Sequence, residues 1–235
     1  MAVTSMANSS IRDFKKFNSM TVRPGFSYAR ISATPTGSFA DSGYNYDYWD
    51  FTGNGSLVID EGGLLEVLVV GGGGGAGSDS NRIGAGGGGG VKHGIFDVVA
   101  GTVAVTVGAA GATGAYKGAG GSGSSFGSVL FAGGGGFGIG FNGVWRSVIQ
   151  EGVPGSQGGV RTSGAAGNVT SGGGARGTQG GGSNAYDGLS LNFTGSSIEF
   201  GKGGYASSTK VASTGHGGDY ASAGTDGRVI VRLRK

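Results

Sequence analysis

The chain contains no cysteine, so neither a disulfide framework nor a thiolate metal site can belong to it. Its two histidines, His93 and His216, stand far apart with no ligand-like cluster of acids near either, so no metal is expected. Proline occurs three times, as Pro24, Pro35 and Pro154. Charged residues make up only 13% of the chain and balance to a net +3. No apolar run approaches the ~18 residues of a membrane span. The N-terminal stretch MAVTSMANSSIRDFKKF lacks the apolar core of about seven or more residues that a signal peptide needs. Synthesis in a cytoplasm is therefore expected, with any exit by a route other than the standard secretory one. No Gly-Lys-Ser/Thr occurs, and no Ser, His and Asp are spaced as a catalytic set. An enzyme, a cofactor, a nucleic-acid partner and membrane insertion are not expected.

Glycine fills the space that these absences leave. There are 59 glycines in 235 residues, a quarter of the chain against a usual ~7%. Only seven precede Val70, so the boundary is sharp. The glycines keep no strict every-third register, which excludes collagen. A flexible Gly/Ser tail is the plain alternative, and strand patterns at both ends of the glycine region argue against it. The first run, in LLEVLVVGGGGGAG (64–77), satisfies G-x-G-x-x-G at Gly72, Gly74 and Gly77. A dinucleotide fold needs the third glycine to open a helix whose amides face the phosphates, and an acid about 20 residues on. Here SDSNRIGAGGGGG follows, without helical periodicity, and a second glycine run intervenes before Asp97. The motif is a consequence of composition.

The order of segments suggests four parts: 1–42, 43–110, 111–224 and 225–235. The first is basic. Ser10 and Asp13 resemble a capping box, and Ile11, Phe14 and Phe17 recur at spacing three, as in a short amphipathic helix. Phe14, Lys15, Lys16 and Phe17 are candidates for docking on a larger partner, with a solvated helix face as the alternative for the lysines. From Tyr44 the pattern turns to β: YNYDYWDF alternates, Gly53-Asn54-Gly55 reads as a turn, and SLVID and LLEVLVV follow. Strands are also expected over 95–99 and 102–107, and from Arg228 to Leu233. A strand needs a partner; the last one finds it most economically beside 64–70.

The region between has no side chains from which to build an ordinary core. The ordered state that favours glycine is the left-handed polyproline-II-like helix, with about three residues per turn and no internal hydrogen bonds. Such helices can approach closely enough for amide and Cα–H donors to reach neighbouring carbonyls. Runs at 71–75, 86–90, 133–136, 172–174 and 180–182 suit inner helices, and GAGGSGSS suits an edge. The expected fold is mainly β plus irregular. It comprises a small β-sheet domain closed by the C-terminal strand, a slab of packed polyglycine-II helices and a short N-terminal attachment segment.

The series LLEVLVVGGGGGAG, GAGGGGGVKHGIFDVVAGTVAVTVGAAG, GGSGSSFG and terminal DGRVIVRLRK resembles the glycine-rich domain of bacteriophage tail proteins. It is similar in principle to the polyglycine-II adhesins at fibre tips of T-even-like phages, over about residues 48–235. The resemblance implies a virion surface protein, assembled in the host cytoplasm. It would be a tail fibre or tail-tip adhesin recognising a host receptor through loops at the ends of the glycine helices. Other virion proteins would dock on the N-terminal segment, with room for homo-oligomerisation. The alternative is a structural virion component, such as a head decoration or head fibre protein, without a host-binding role.

The longest interruption of the glycine pattern is FGIGFNGVWRSVIQEGVPG. Phe137, Phe141, Trp145 and Arg146 within it are receptor-binding candidates, since aromatics and arginine anchor interfaces. A small satellite core or strand pair is the other reading of this stretch. Tyr186 and Tyr205 are weaker candidates.

Overall fold

The computed structural model describes residues 27–79, 82–140, 169–170, 187–204, 211–219 and 222–235. Among these the chain is mainly β-sheet and contains no helix. The strands in chain order are β1 (Gly37–Asp41), β2 (Tyr44–Phe51), β3 (Gly55–Ile59), β4 (Gly63–Val70), β5 (Gly77–Asp79), β6 (Arg82–Gly84), β7 (Val91–Val98) and β8 (Gly101–Thr106). They continue with β9 (Gly114–Ala115), β10 (Ser124–Phe126), β11 (Leu130–Ala132), β12 (Val169–Thr170), β13 (Leu189–Asn192), β14 (Ser197–Phe200) and β15 (Arg228–Arg234). The sheets are small and none closes into a barrel: β1-β2-β15-β4-β7, β11-β10-β8-β3, β12-β6-β5-β9 and the pair β13-β14.

Period-two alternation decides the layering. Along β4, Leu65, Val67 and Val69 point to one face and Leu68 and Val70 to the other; along β15, Val229 and Val231 oppose Ile230. The first set joins Trp49, Leu57, Ile59, Val105 and Phe126 in the core between the five-stranded sheet and the sheet of β3, β8, β10 and β11. The second set packs on Phe193 and Phe200 of the β13–β14 region. The two central strands are buried on both faces, which is why they read as nearly continuous apolar runs. Each fully buried valine or leucine contributes roughly 1.5–3 kcal/mol of transfer free energy.

The last strand lies between β2 and β4, pairing with both in antiparallel register: Val231 opposes Trp49 on one side and Val67 on the other. Two ion pairs fasten it laterally. Arg228 meets Asp50 through two bonds, one of them Nε–Oδ1 at 2.8 Å. Arg232 grips Glu66 at 2.7 and 3.0 Å, its guanidinium lying between the Tyr46 and Phe193 rings at 4.8 and 4.5 Å. The same arginine donates to the Asn192 carbonyl at 2.7 Å, tying the end of β13 to the sheet.

Part of the expected attachment segment 1–42 belongs to this sheet. β1 turns into β2 through Ser42 and Gly43, both at positive φ, as a tight two-residue hairpin requires. Upstream, the Ala29 amide donates to the Leu64 carbonyl at 3.0 Å. The strand expected over 95–99 begins instead at Val91 and ends at Val98, leaving Val99 83% exposed in the turn. The proposed helix around Ile11, Phe14 and Phe17 lies outside the described residues.

Between β4 and β5 the chain leaves the sheet, and its hydrogen bonding changes character. The six amides of residues 71–76 donate in rotation to three neighbours. Gly71 and Gly74 reach Gly90 and Gly87; Gly72 and Gly75 reach Ser122 and Ala119; Gly73 and Ala76 reach Thr225 and Ser222. Carbonyls of the same segment accept from Gly111 and Gly114, from Gly135 and Gly138, and from Gly218. Segment 71–76 therefore touches six others, donating to three and accepting from three. All of these bonds fall between 2.7 and 3.1 Å, good amide geometry.

This spacing leaves no room for a Cβ on residues 71–75. One added to Gly72, Gly73 or Gly74 would stand 2.2, 1.9 or 1.9 Å from a carbonyl oxygen of another segment. Where strand gives way to glycine, side chains take over the bonding. Ser124, fully buried, donates to the Val70 carbonyl at 2.6 Å and accepts the Gly108 amide at 2.8 Å. Asp226 accepts the Ala110 amide at 2.7 Å.

Adjacent glycines of one segment supply a direct test. A Cβ on Gly121 would lie 2.1 Å from the Gly72 oxygen, whereas one on Gly120 would meet only the Gly135 oxygen at 3.5 Å. Gly121→Ala is expected to lower unfolding free energy by roughly 3 kcal/mol or more. Gly120→Ala should be neutral or stabilising by up to about 1 kcal/mol through the unfolded chain. Denaturant titration of both variants checks this; equal effects would contradict the packing.

Candidate functional site at the distal end

Six extended residues carry the chain at most about 20 Å away from the sheet. At that distance β5 turns into β6, β9 pairs in parallel with β5, and β12 in parallel with β6. This end is called distal. Between β9 and the returning segment stands Tyr116, whose amide donates to the Ser78 carbonyl at 2.9 Å and whose carbonyl accepts the Gly140 amide at 2.7 Å. Lys117 forms an isolated bridge with Ile139.

Phe137 belongs to this end. Its ring is half-buried, and the Lys117 ammonium sits 4.2 Å from its centroid, a cation–π contact worth about 0.5–1 kcal/mol where solvent reaches it. Tyr116 and Lys117 were not among the residues singled out from the sequence. Their signal was an aromatic–cation pair, Ala-Tyr-Lys-Gly, in a glycine background. The other candidates Phe141, Trp145, Arg146, Tyr186 and Tyr205, and the docking candidates Phe14, Lys15, Lys16 and Phe17, lie outside the described residues.

A second cluster of titratable groups sits at the opposite, sheet-proximal end. His216 is 3% exposed and its Nε2 lies 3.1 Å from the Glu199 carbonyl, which assigns the proton to Nε2. Nδ1 has no partner among the described residues. The His216 amide donates to Thr225 Oγ1 at 2.8 Å. Glu199 in turn accepts from Lys202 Nζ at 3.1 Å and from the Gly188 amide at 3.0 Å. Burial alone would raise the Glu199 pKa, but the bonds from Lys202 and Gly188 and the Lys202 and His216 charges together carry it below its ordinary value. The cluster braces the β14 end against the glycine segments. Its imidazole does not face solvent, and no group of three or more His, Asp or Glu among the described residues is placed to hold a metal.

The glycine amides of 71–75, the ones a pyrophosphate would require, are each bonded to a backbone carbonyl of a neighbouring segment. No helix among the described residues is long and apolar enough to cross a membrane. No protein-family model matches the chain, and no curated protein matches it significantly.

Burial first, with the Lys202 charge, lowers the His216 pKa; the Glu199 carbonyl and the Glu199 and Asp219 charges oppose this and lose. The unfolded chain titrates this histidine near its ordinary ~6.5. As pH falls below that value, the unfolded state binds a proton that the folded state resists, so stability falls. The melting temperature should drop more steeply between about pH 7 and 5 in the native chain than in His216→Gln. Parallel pH profiles would contradict this role for His216.

Proposed function

We propose that the chain is a surface protein of a bacteriophage virion, a tail-fibre or tail-tip adhesin. In this reading the glycine segments are polyglycine-II helices packed into a slab, and the C-terminal strand closes the sheet domain that holds them. The observation that carries the architecture is the three-residue rotation of donors along 71–76, in which three consecutive amides reach three different neighbours and the next three repeat the order. A helix of about three residues per turn produces that rotation; a β-ladder sends its bonds sideways, to two neighbours at most. Support for the biological role is the resemblance of the strand and glycine-run order to phage tail proteins.

The slab has a physical consequence for recognition. At Gly71 to Gly75 its interior has no room for a side chain, so contact chemistry is concentrated at its ends and edges, and the distal end collects Tyr116, Lys117 and Phe137. The structural alternative, a head decoration or head fibre, is favoured by the half-buried state of Phe137, which is only partly displayed.

Immunogold labelling of intact particles distinguishes these readings. Label at the tail extremity is the expected result, and label distributed over the head would contradict the adhesin reading. Deleting residues 1–26 removes the basic segment while keeping the Ala29 and Arg30 contacts with Leu64 and Glu61. The truncated chain should melt within about 2 °C of the full one yet fail to enter particles, since the described sheet and glycine contacts are all made by residues from Ser27 onward. Particles that carry the truncated chain in normal amount would show that docking lies elsewhere.

A further inference from the structure

Tyr116 occupies a backbone conformation that glycine would adopt without strain. Its φ is 67°, and the Lys117 amide donates back to the Ala115 carbonyl at 2.9 Å. Together these define a γ-turn with a positive central φ, the rarer and more strained of the two kinds. Elsewhere among the described residues, positive φ is carried by seven glycines and by Ser42 and Ser213. Tyr116 is the one large side chain in that set. The strain has no packing return, because the tyrosine is 51% exposed. Strain held at an exposed aromatic residue points to a role for the side chain itself.

The neighbouring charge indicates what kind of role. Lys117 is exposed and forms no ion pair with a carboxylate among the described residues; its ammonium lies over the Phe137 ring. The turn therefore displays an open aromatic ring and, one residue on, a cation steadied on a second ring. Among the described residues the surrounding end of the slab is hydrogen-bonded backbone, through Ser78, Gly138 and Gly140. A ring face with its negative quadrupole suits the polarised C–H face of a pyranose, and an ammonium without a carboxylate partner among the described residues suits a carboxylate or phosphate substituent on it.

We propose that Tyr116 and Lys117 form a contact site for an acidic saccharide of a cell envelope. The proposal rests on the reading of the distal end as the recognition end, and it names the ligand class for that end.

The test uses the full chain on an array of uronate-, sialate- and phosphosugar-containing glycans beside their neutral parents. Binding should concentrate on acidic members. It should fall about tenfold or more in Tyr116→Gly and in Lys117→Gln, and persist in Tyr116→Phe. Tyr116→Gly should melt at the same temperature as the native chain or higher, which separates lost contact from lost fold. Binding that is absent, that is equal on neutral glycans, or that is unchanged in Tyr116→Gly would overturn the proposal. A parallel arm measures adsorption of the labelled chain to bacterial cells. Tyr116-dependent adsorption that survives periodate treatment of the cells but not protease would identify a protein partner and overturn the saccharide class. Should the array result hold while immunogold places the chain on the head, the tail reading fails and the site stands. Should the chain adsorb at full strength with Tyr116→Gly, the site fails and the adhesin reading stands.

Discussion

The structure depends on one constraint, the approach of glycine backbones to within hydrogen-bond distance on every side of a segment. A β-strand bonds to neighbours in one plane and uses its two faces for side chains. Residues 71–76 bond all the way round, which is possible only because Gly71 to Gly75 put no Cβ between the chains. Ordering glycine is entropically unfavourable, and each amide bond returns only about 1 kcal/mol net. The bonds must therefore act together, and the ordered array needs an anchor. The β-layers supply it. Apolar burial around Val67, Val69, Val229 and Val231 fixes the ends of β4 and β15, and from those fixed ends the glycine segments start and return in register.

The junction between the two regimes shows how strictly polar groups are matched. At Val70 the ladder stops, and its carbonyl is taken by Ser124, which also receives the Gly108 amide. His216 replaces glycine at a sheet-proximal position and is accommodated because its imidazole bonds to the Glu199 carbonyl. Side chains enter the glycine region where they complete the bonding or where they reach an end. Tyr116 is of the second kind. The γ-turn that holds it belongs to the same backbone network, through Ser78 and Gly140.

The sheet domain was largely legible because its strands carry strong local signals. β2 coincides with the alternating YNYDYWDF, and β4 with the apolar run before the glycines. β1 was hidden because GSFAD has little strand propensity and is held by the Ser42-Gly43 hairpin and by Phe39 stacking on Tyr46 at 5.3 Å. The short pairs β10–β11 and β13–β14 were missed for a related reason: three- and four-residue strands are too short for an alternation to stand out. At the distal end Phe137 stood out by its aromatic neighbours. Tyr116 did not, since a positive φ is a property of the folded backbone and leaves no mark on composition.

The most direct measurement of the central claim is scalar coupling through hydrogen bonds, read between amide nitrogens and carbonyl carbons in the isotope-labelled protein. Consecutive amides of Gly71, Gly72 and Gly73 are predicted to couple to Gly90, Ser122 and Thr225, three different segments. Gly74, Gly75 and Ala76 should repeat that order with Gly87, Ala119 and Ser222. Couplings that run along a single neighbouring chain, or no couplings at all from these six amides, would contradict the account.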